Sequence, residues 1–246
     1  MILTHIGLVI AIIGIFLMFR GGMMDMLLLV MACTLLGGSA AAQLPALGGS
    51  SVPPAPFALV FALARMTLPN SQRWREARGA IRANAWLAIY ALYGVLAATM
   101  APSFFRDSIQ VTAMRATGPT RTLFDTVPLA PSPQNVTVTV YLLGTVCAGI
   151  VAYLAMQEEG AGRRFVKMGV IMAWIHATLG VLAAVLKGTP FDLLVDVLRN
   201  ANYTQTDQTA YGMVRLTGIF TEPSAYVGFA FGWFVFLLEC WLRDIL

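Results

Sequence analysis

Charge is scarce in this chain. Asp, Glu, Lys and Arg make up 11% of 246 residues, where a soluble domain carries about 25%. With 58% apolar residues and a mean hydropathy of +0.74, a soluble globular domain is excluded. The formal charge of +4 is too small to point to nucleic acid as a partner. Histidine is nearly absent, with only His5 and His176. The three cysteines, Cys33, Cys147 and Cys240, lie singly inside apolar runs, with no paired spacing and no neighbouring histidine. Neither a zinc site nor a disulfide framework is indicated, and the cysteines read as inert packing residues. No stretch calls for a cofactor, and no internal repeat is evident.

What the chain has instead is long apolar runs, and a bilayer crossing takes about 20 such residues. Seven runs qualify as expected spans: 2–19, 23–42, 55–68, 85–100, 136–156, 168–186 and 225–242. The first has no basic leader ahead of it and reads as a span, not as a cleaved signal peptide; Ser39 to Gln43 resembles a signal-peptidase site only superficially. The shortest run, 55–68, carries Arg65, which can reach the interface by extending its stem along the helix. Pro102 is expected to end the fourth span.

Basic residues orient such a chain, because short cytoplasmic loops collect Lys and Arg. With the N-terminus outside, the cytoplasmic ends gather Arg20, Arg65, Arg73, Arg75, Arg78, Arg82, Arg163, Arg164, Lys167 and Arg243, ten of the sixteen. Were 55–68 re-entrant, the cluster from Arg73 to Arg82 would face away from Arg20. The sequence therefore predicts an all-α polytopic membrane protein, a single transmembrane domain of about seven spans with two long outer loops. Each loop holds an amphipathic segment expected to lie as a helix in the membrane interface: 103–118, with Phe104, Phe105, Ile109 and Met114 at near-helical spacing, and 191–199, with Asp192, Asp196 and Arg199 on one face.

Arg215-Leu-Thr-Gly218-Ile-Phe220-Thr-Glu222-Pro223-Ser224 runs directly into the last span. Proline lacks an N–H and suits the first turn of a helix, which makes Thr221 or Glu222 the cap and puts a carboxylate at the positive end of the helix dipole. Gly218 permits a tight turn that would return Arg215 toward Glu222. The outer loops also hold Arg106, Arg115 and Arg121, and Lys187 and Arg199. The guanidinium groups of the arginines suit a pyrophosphate whose lipid tail lies in the bilayer, or else rest on lipid headgroups.

The pattern Arg215, Gly218, Phe220, Glu222, Pro223, Ser224 and Ala225, after a long loop and entering a span, resembles the O-antigen and exopolysaccharide polymerases of bacterial inner membranes. That resemblance implies glycosyl transfer on the periplasmic side, from an undecaprenyl-diphosphate-linked glycan to the terminal sugar of an acceptor, without a nucleotide sugar. Arg215 would neutralise charge developing on the leaving diphosphate. Glu222 would orient Arg215 or act as a base; the first is preferred, because a carboxylate held as the anion is a poor proton acceptor. Arg199, Arg106, Arg115, Arg121, Ser224 and Tyr226 would bind substrate, and a chain-length regulator and a flippase would be partners alongside membrane lipid. Members of that family continue beyond the motif span, so the resemblance implies an N-terminal portion.

Two other readings stand beside it: an O-antigen ligase with a similar donor, and a non-enzymatic transporter or assembly subunit. His176, mid-span, is a second functional candidate, because ionisable residues inside spans are costly, but a neutral histidine hydrogen-bonded to a neighbouring helix is the preferred reading. Ser224 has no histidine near it in sequence and is not read as a nucleophile. The sequons at Asn135 and Asn202 are incidental.

Overall fold

The computed structural model describes residues 2–44, 50–68, 73–112, 125–201, 209–210 and 213–245. They form two compact units, 1–77 with 151–246, and 78–150.

The first unit begins with a short strand, β1 (Ile2–Leu3), and helices α1 (His5–Arg20) and α2 (Met23–Thr34). Thr4 caps α1, its Oγ1 accepting from the Gly7 N–H at 3.0 Å. α2 stops well short of the expected 23–42. It ends at Thr34, the chain turns through Gly37 and Gly38, and Ala40, Ala41 and Ala42 continue as fully buried, non-helical chain. β2 (Ala42–Leu44) then pairs antiparallel with β1 and with β3 (Ser50–Val52). Extended backbone at such a place survives because its polar groups bond to protein: Ala41 O accepts from Thr4 N at 3.1 Å, and Ala41 N donates to Val52 O at 2.8 Å. The Ser39 to Gln43 stretch is thus buried framework. α3 (Pro54–Thr67) opens with a proline in its first turn and packs on both α1 and α2.

The second unit holds most of α4 (Arg73–Ala83), then α5 (Ala85–Phe104), β4 (Gln110–Thr112), β5 (Thr126–Pro128) and the first part of α6 (Pro133–Met156). The basic stretch after α3, read above only as a loop for topology, is the helix α4. Pro102 does not end α5, because the Phe105 N–H still reaches Ala101 O at 2.9 Å. Of the helix expected over 103–118, residues 113–118 lie outside the described residues, and over 105–112 the chain turns and becomes a strand instead. After Phe104 the chain turns through Asp107 in the left-handed region (φ 58°), and β4 pairs with β5. Ser108-Ile-Gln-Val-Thr112 alternates polar and apolar with the period of a strand, and that period prevails. Within this unit α6 meets α5 where Leu142 sits against Gly94.

Back in the first unit, α6 ends at Met156 and α7 (Ala161–Val185) follows, packed on α2 and on α9 (Pro223–Leu242). α8 (Phe191–Leu198) forms where the amphipathic pattern places it, and β6 (Thr209–Ala210) pairs with β7 (Met213–Val214). Glu158 lies in the α6–α7 turn and caps α2 from afar. Its carboxylate accepts from the N–H groups of Met23 at 2.6 Å and Met24 at 3.3 Å. These donors have no partner inside the helix, and an anion is favoured there. Asp25 accepts from Gly22 N at 2.7 Å and pairs with Arg164.

The chain is therefore mostly helical. α5, α6, α7 and α9, at 20, 24, 25 and 20 residues, are long and apolar enough to cross a membrane. α1, α2 and α3 are shorter, at 16, 12 and 14 residues.

Candidate functional site

The motif segment lies where three stretches of the first unit converge: 37–41 after α2, 197–201 at the end of α8, and 217–226 leading into α9. Sequence logic for α9 holds at its start. Glu222 occupies the cap position in extended conformation (φ −155°, ψ 157°), and Pro223 takes the first turn. The glutamate does not cap through its side chain; its Oε1 accepts from Ser224 Oγ at 2.6 Å. Gly218 adopts φ 50°, and Phe220 N donates to Thr217 O at 2.8 Å, which closes the turn. Arg215 is exposed just ahead of it.

Arg199 holds this turn from outside. Its Nε donates to Gly218 O at 2.9 Å, and its Nη2 donates to the same carbonyl and to Thr217 Oγ1 at 3.1 Å. A guanidinium presents fixed, forked donors, and several of these are committed to the motif backbone. Arg199 therefore shapes the turn of the site.

The 37–41 stretch closes the other side. Ala40 N donates to Asn200 Oδ1 at 2.6 Å, Ala201 N to Gly38 O at 3.2 Å, and Ser39 Oγ to Leu198 O. Phe220 lies against Gly37, where a Cβ would come within 2.5 Å of its ring, and a Cβ on Gly38 would overlap Ile219 O. Sequence reasoning missed this contribution. Its only signal was the pair Gly37-Gly38 followed by Ser39 at the end of an apolar run.

His176 of α7 anchors the segment beneath the turn. Its ring stacks on Tyr226 (centroids 4.1 Å apart, 23° between planes) and meets Phe220 edge-on at 5.3 Å and Phe229 at 4.9 Å. The hydrogen bond expected from the imidazole to a neighbouring helix is not made at Nε2, which is buried without a partner; ring packing fills the space instead. Tyr226 Oη makes a long 3.4 Å bond to His176 O, and a Cβ on Gly180 would overlap that hydroxyl. From Tyr226 an apolar cleft of about 440 Å³ follows α7 and α9, lined by His176, Ala230, Trp233, Leu237 and Trp241 among others.

Of the residues singled out from sequence, Arg199, Arg215, Glu222, Ser224 and Tyr226 thus belong to one stretch of the first unit. Arg106 lies in the second unit, exposed and paired with Asp107 at 3.5 Å. Arg115 and Arg121 lie outside the described residues. Among the described residues, no three of His, Cys, Asp and Glu gather as a metal site would require. No known protein family, curated protein or solved structure matches the chain.

Proposed function

We propose that this chain is a seven-span protein of a bacterial inner membrane, with its N-terminus outside. It takes part in polymerising lipid-diphosphate-linked oligosaccharides into a surface polysaccharide. The observation that carries this reading is the arrangement at the start of α9. An exposed arginine precedes a left-handed glycine turn fixed by Arg199, and a glutamate caps a helix long enough to cross the bilayer.

The span count draws support from chain parity. Residues in contact at a membrane surface share a face, so an even number of crossings separates them. Contacts join Thr4 to Ala41, Met23 to Glu158 and Gly38 to Ala201. With α1–α3 and α5–α7 all crossing, these pairs are separated by two, four and four crossings. Without α3, the last two become odd.

In the proposed reaction an acceptor hydroxyl attacks the anomeric carbon of the donor glycan. The bond from that carbon to the diphosphate oxygen breaks, its electron pair leaves with the diphosphate, and the proton of the acceptor hydroxyl passes to water. Arg215 meets the charge that develops there, where a preorganised cation contributes most. Ser224 and the cap geometry hold Glu222, which orients Arg215, while the cleft below Tyr226 suits the hydrocarbon tail of the donor.

The test is complementation of a polymerase-deficient bacterium, with the polysaccharide ladder read on a gel, using this chain and a version extended into any downstream coding sequence. Restored long chains that shorten with Arg215→Lys support the role of a forked guanidinium, and an unchanged length distribution removes it. No effect of either form on the ladder or on single repeat units would refute the polymerase reading.

A further inference from the structure

α4 ends one residue before α5 begins, and the hydrogen-bond ladder continues across that residue. Asn84 N donates to Ala80 O at 3.0 Å, Asn84 Nδ2 to the same carbonyl at 2.9 Å, and Ala88 N to Asn84 O at 2.9 Å. The last turn of α4 is therefore fixed to the first turn of a helix long and apolar enough to cross a membrane, which holds it at the bilayer surface.

Arg78 and Arg82 lie there, exposed, with no hydrogen bond or ion pair to any described residue. Four residues apart on a helix, their Cβ atoms are about 5–6 Å from each other, close enough to share one phosphate or bridge two. Beside them Ile81 is 54% exposed and Trp86 84% exposed. An aliphatic side chain next to a tryptophan at the head of a span belongs at the headgroup boundary, where amphipathic rings gather. An exposed, unpaired guanidinium pair flanked by apolar side chains would be a poor surface toward water; it is complementary to a layer with anionic phosphates above and hydrocarbon below.

We propose that Arg78 and Arg82, with Ile81 and Trp86, form a docking site for the phosphate headgroups of anionic phospholipids at the junction of α4 and α5. This rests on membrane embedding alone and is independent of the reaction proposed above.

Native mass spectrometry of the full chain in neutral detergent, titrated with phosphatidylglycerol or phosphatidylcholine, tests it. The wild-type chain should retain phosphatidylglycerol preferentially. The double variant Arg78→Gln, Arg82→Gln should weaken that binding roughly twenty- to thirtyfold, about fivefold per arginine, and leave phosphatidylcholine binding unchanged. The Lys pair at the same positions should keep most of the preference. Excess inorganic phosphate should not displace the lipid, because the apolar contacts are then absent. Undiminished phosphatidylglycerol binding by the Gln pair, equal loss in the Lys pair, or easy displacement by inorganic phosphate would each overturn the proposal.

Discussion

Two apolar helices, α2 of the first unit and α5 of the second, are accommodated in opposite ways. α2, the shortest of the apolar helices, is the most enclosed: Met23, Met24 and Met26 are at most 1% exposed, and its ends are tied by Glu158 at one side and by the 37–41 stretch at the other. α5, eight residues longer, leaves Trp86, Tyr90 and Tyr93 largely uncovered. In water the second arrangement would be untenable, but in a bilayer an apolar side chain gains little by leaving lipid for protein. Packing there is driven by close backbone approach and by polar groups needing partners. α2 has both, in Gly38 packed against Ile219 and in the hydrogen bonds it borrows from Glu158; α5 has a close approach at Gly94, against Leu142, and length enough to cross.

That contrast predicts that a glycine at a crowded joint and one on an open helix face differ sharply. Gly38→Ala would force a Cβ into the Ile219 carbonyl, which cannot swing aside. We expect a loss of about 3 kcal/mol or more, read as a collapse of the monodisperse peak in detergent at temperatures the wild type survives. Arg199→Ala removes the donors to Gly218 O and should cost about 1–3 kcal/mol. The complementation ladder should fail with it while Arg199→Lys keeps part of it, and equal failure of both would point to the planar fork rather than to charge.

At the opposite side of α2, Glu158→Ala uncaps Met23 and Met24, for about 1–2 kcal/mol, visible as faster hydrogen exchange at those two amides. The smallest effect belongs to the second unit. Gly144→Ala in α6 meets nothing within 4 Å and should be neutral or stabilising by up to about 1 kcal/mol in thermal unfolding. A destabilisation as large as that of Gly38→Ala would abolish the distinction between crowded and open glycines.

The legible parts of this molecule were those governed by local rules. Pro223 announced the start of α9 and the cap at Glu222, because a proline has few other places to go. The stripe through Asp192, Asp196 and Arg199 announced α8. Where tertiary partners decide, the sequence was silent. Gly37-Gly38 marks a break, but nothing local shows that Ala40–Ala42 then run as buried, non-helical chain; the partners are Thr4 and Val52. The basic run of α4 carried a strong topological signal that overshadowed its helical period. In the site, Arg199 looked like any loop arginine awaiting an anion, and only the Gly218 carbonyl, 19 residues away, shows where its donors go.

The glutamate that caps α2 also dictates an order of events during synthesis. Glu158 lies 135 residues after Met23, and at about 5–20 residues per second it leaves the ribosome roughly 7–27 s later. For all that time the N–H groups of Met23 and Met24 are without the Glu158 carboxylate. The seating of α2 is thus provisional until the turn that follows α6 arrives.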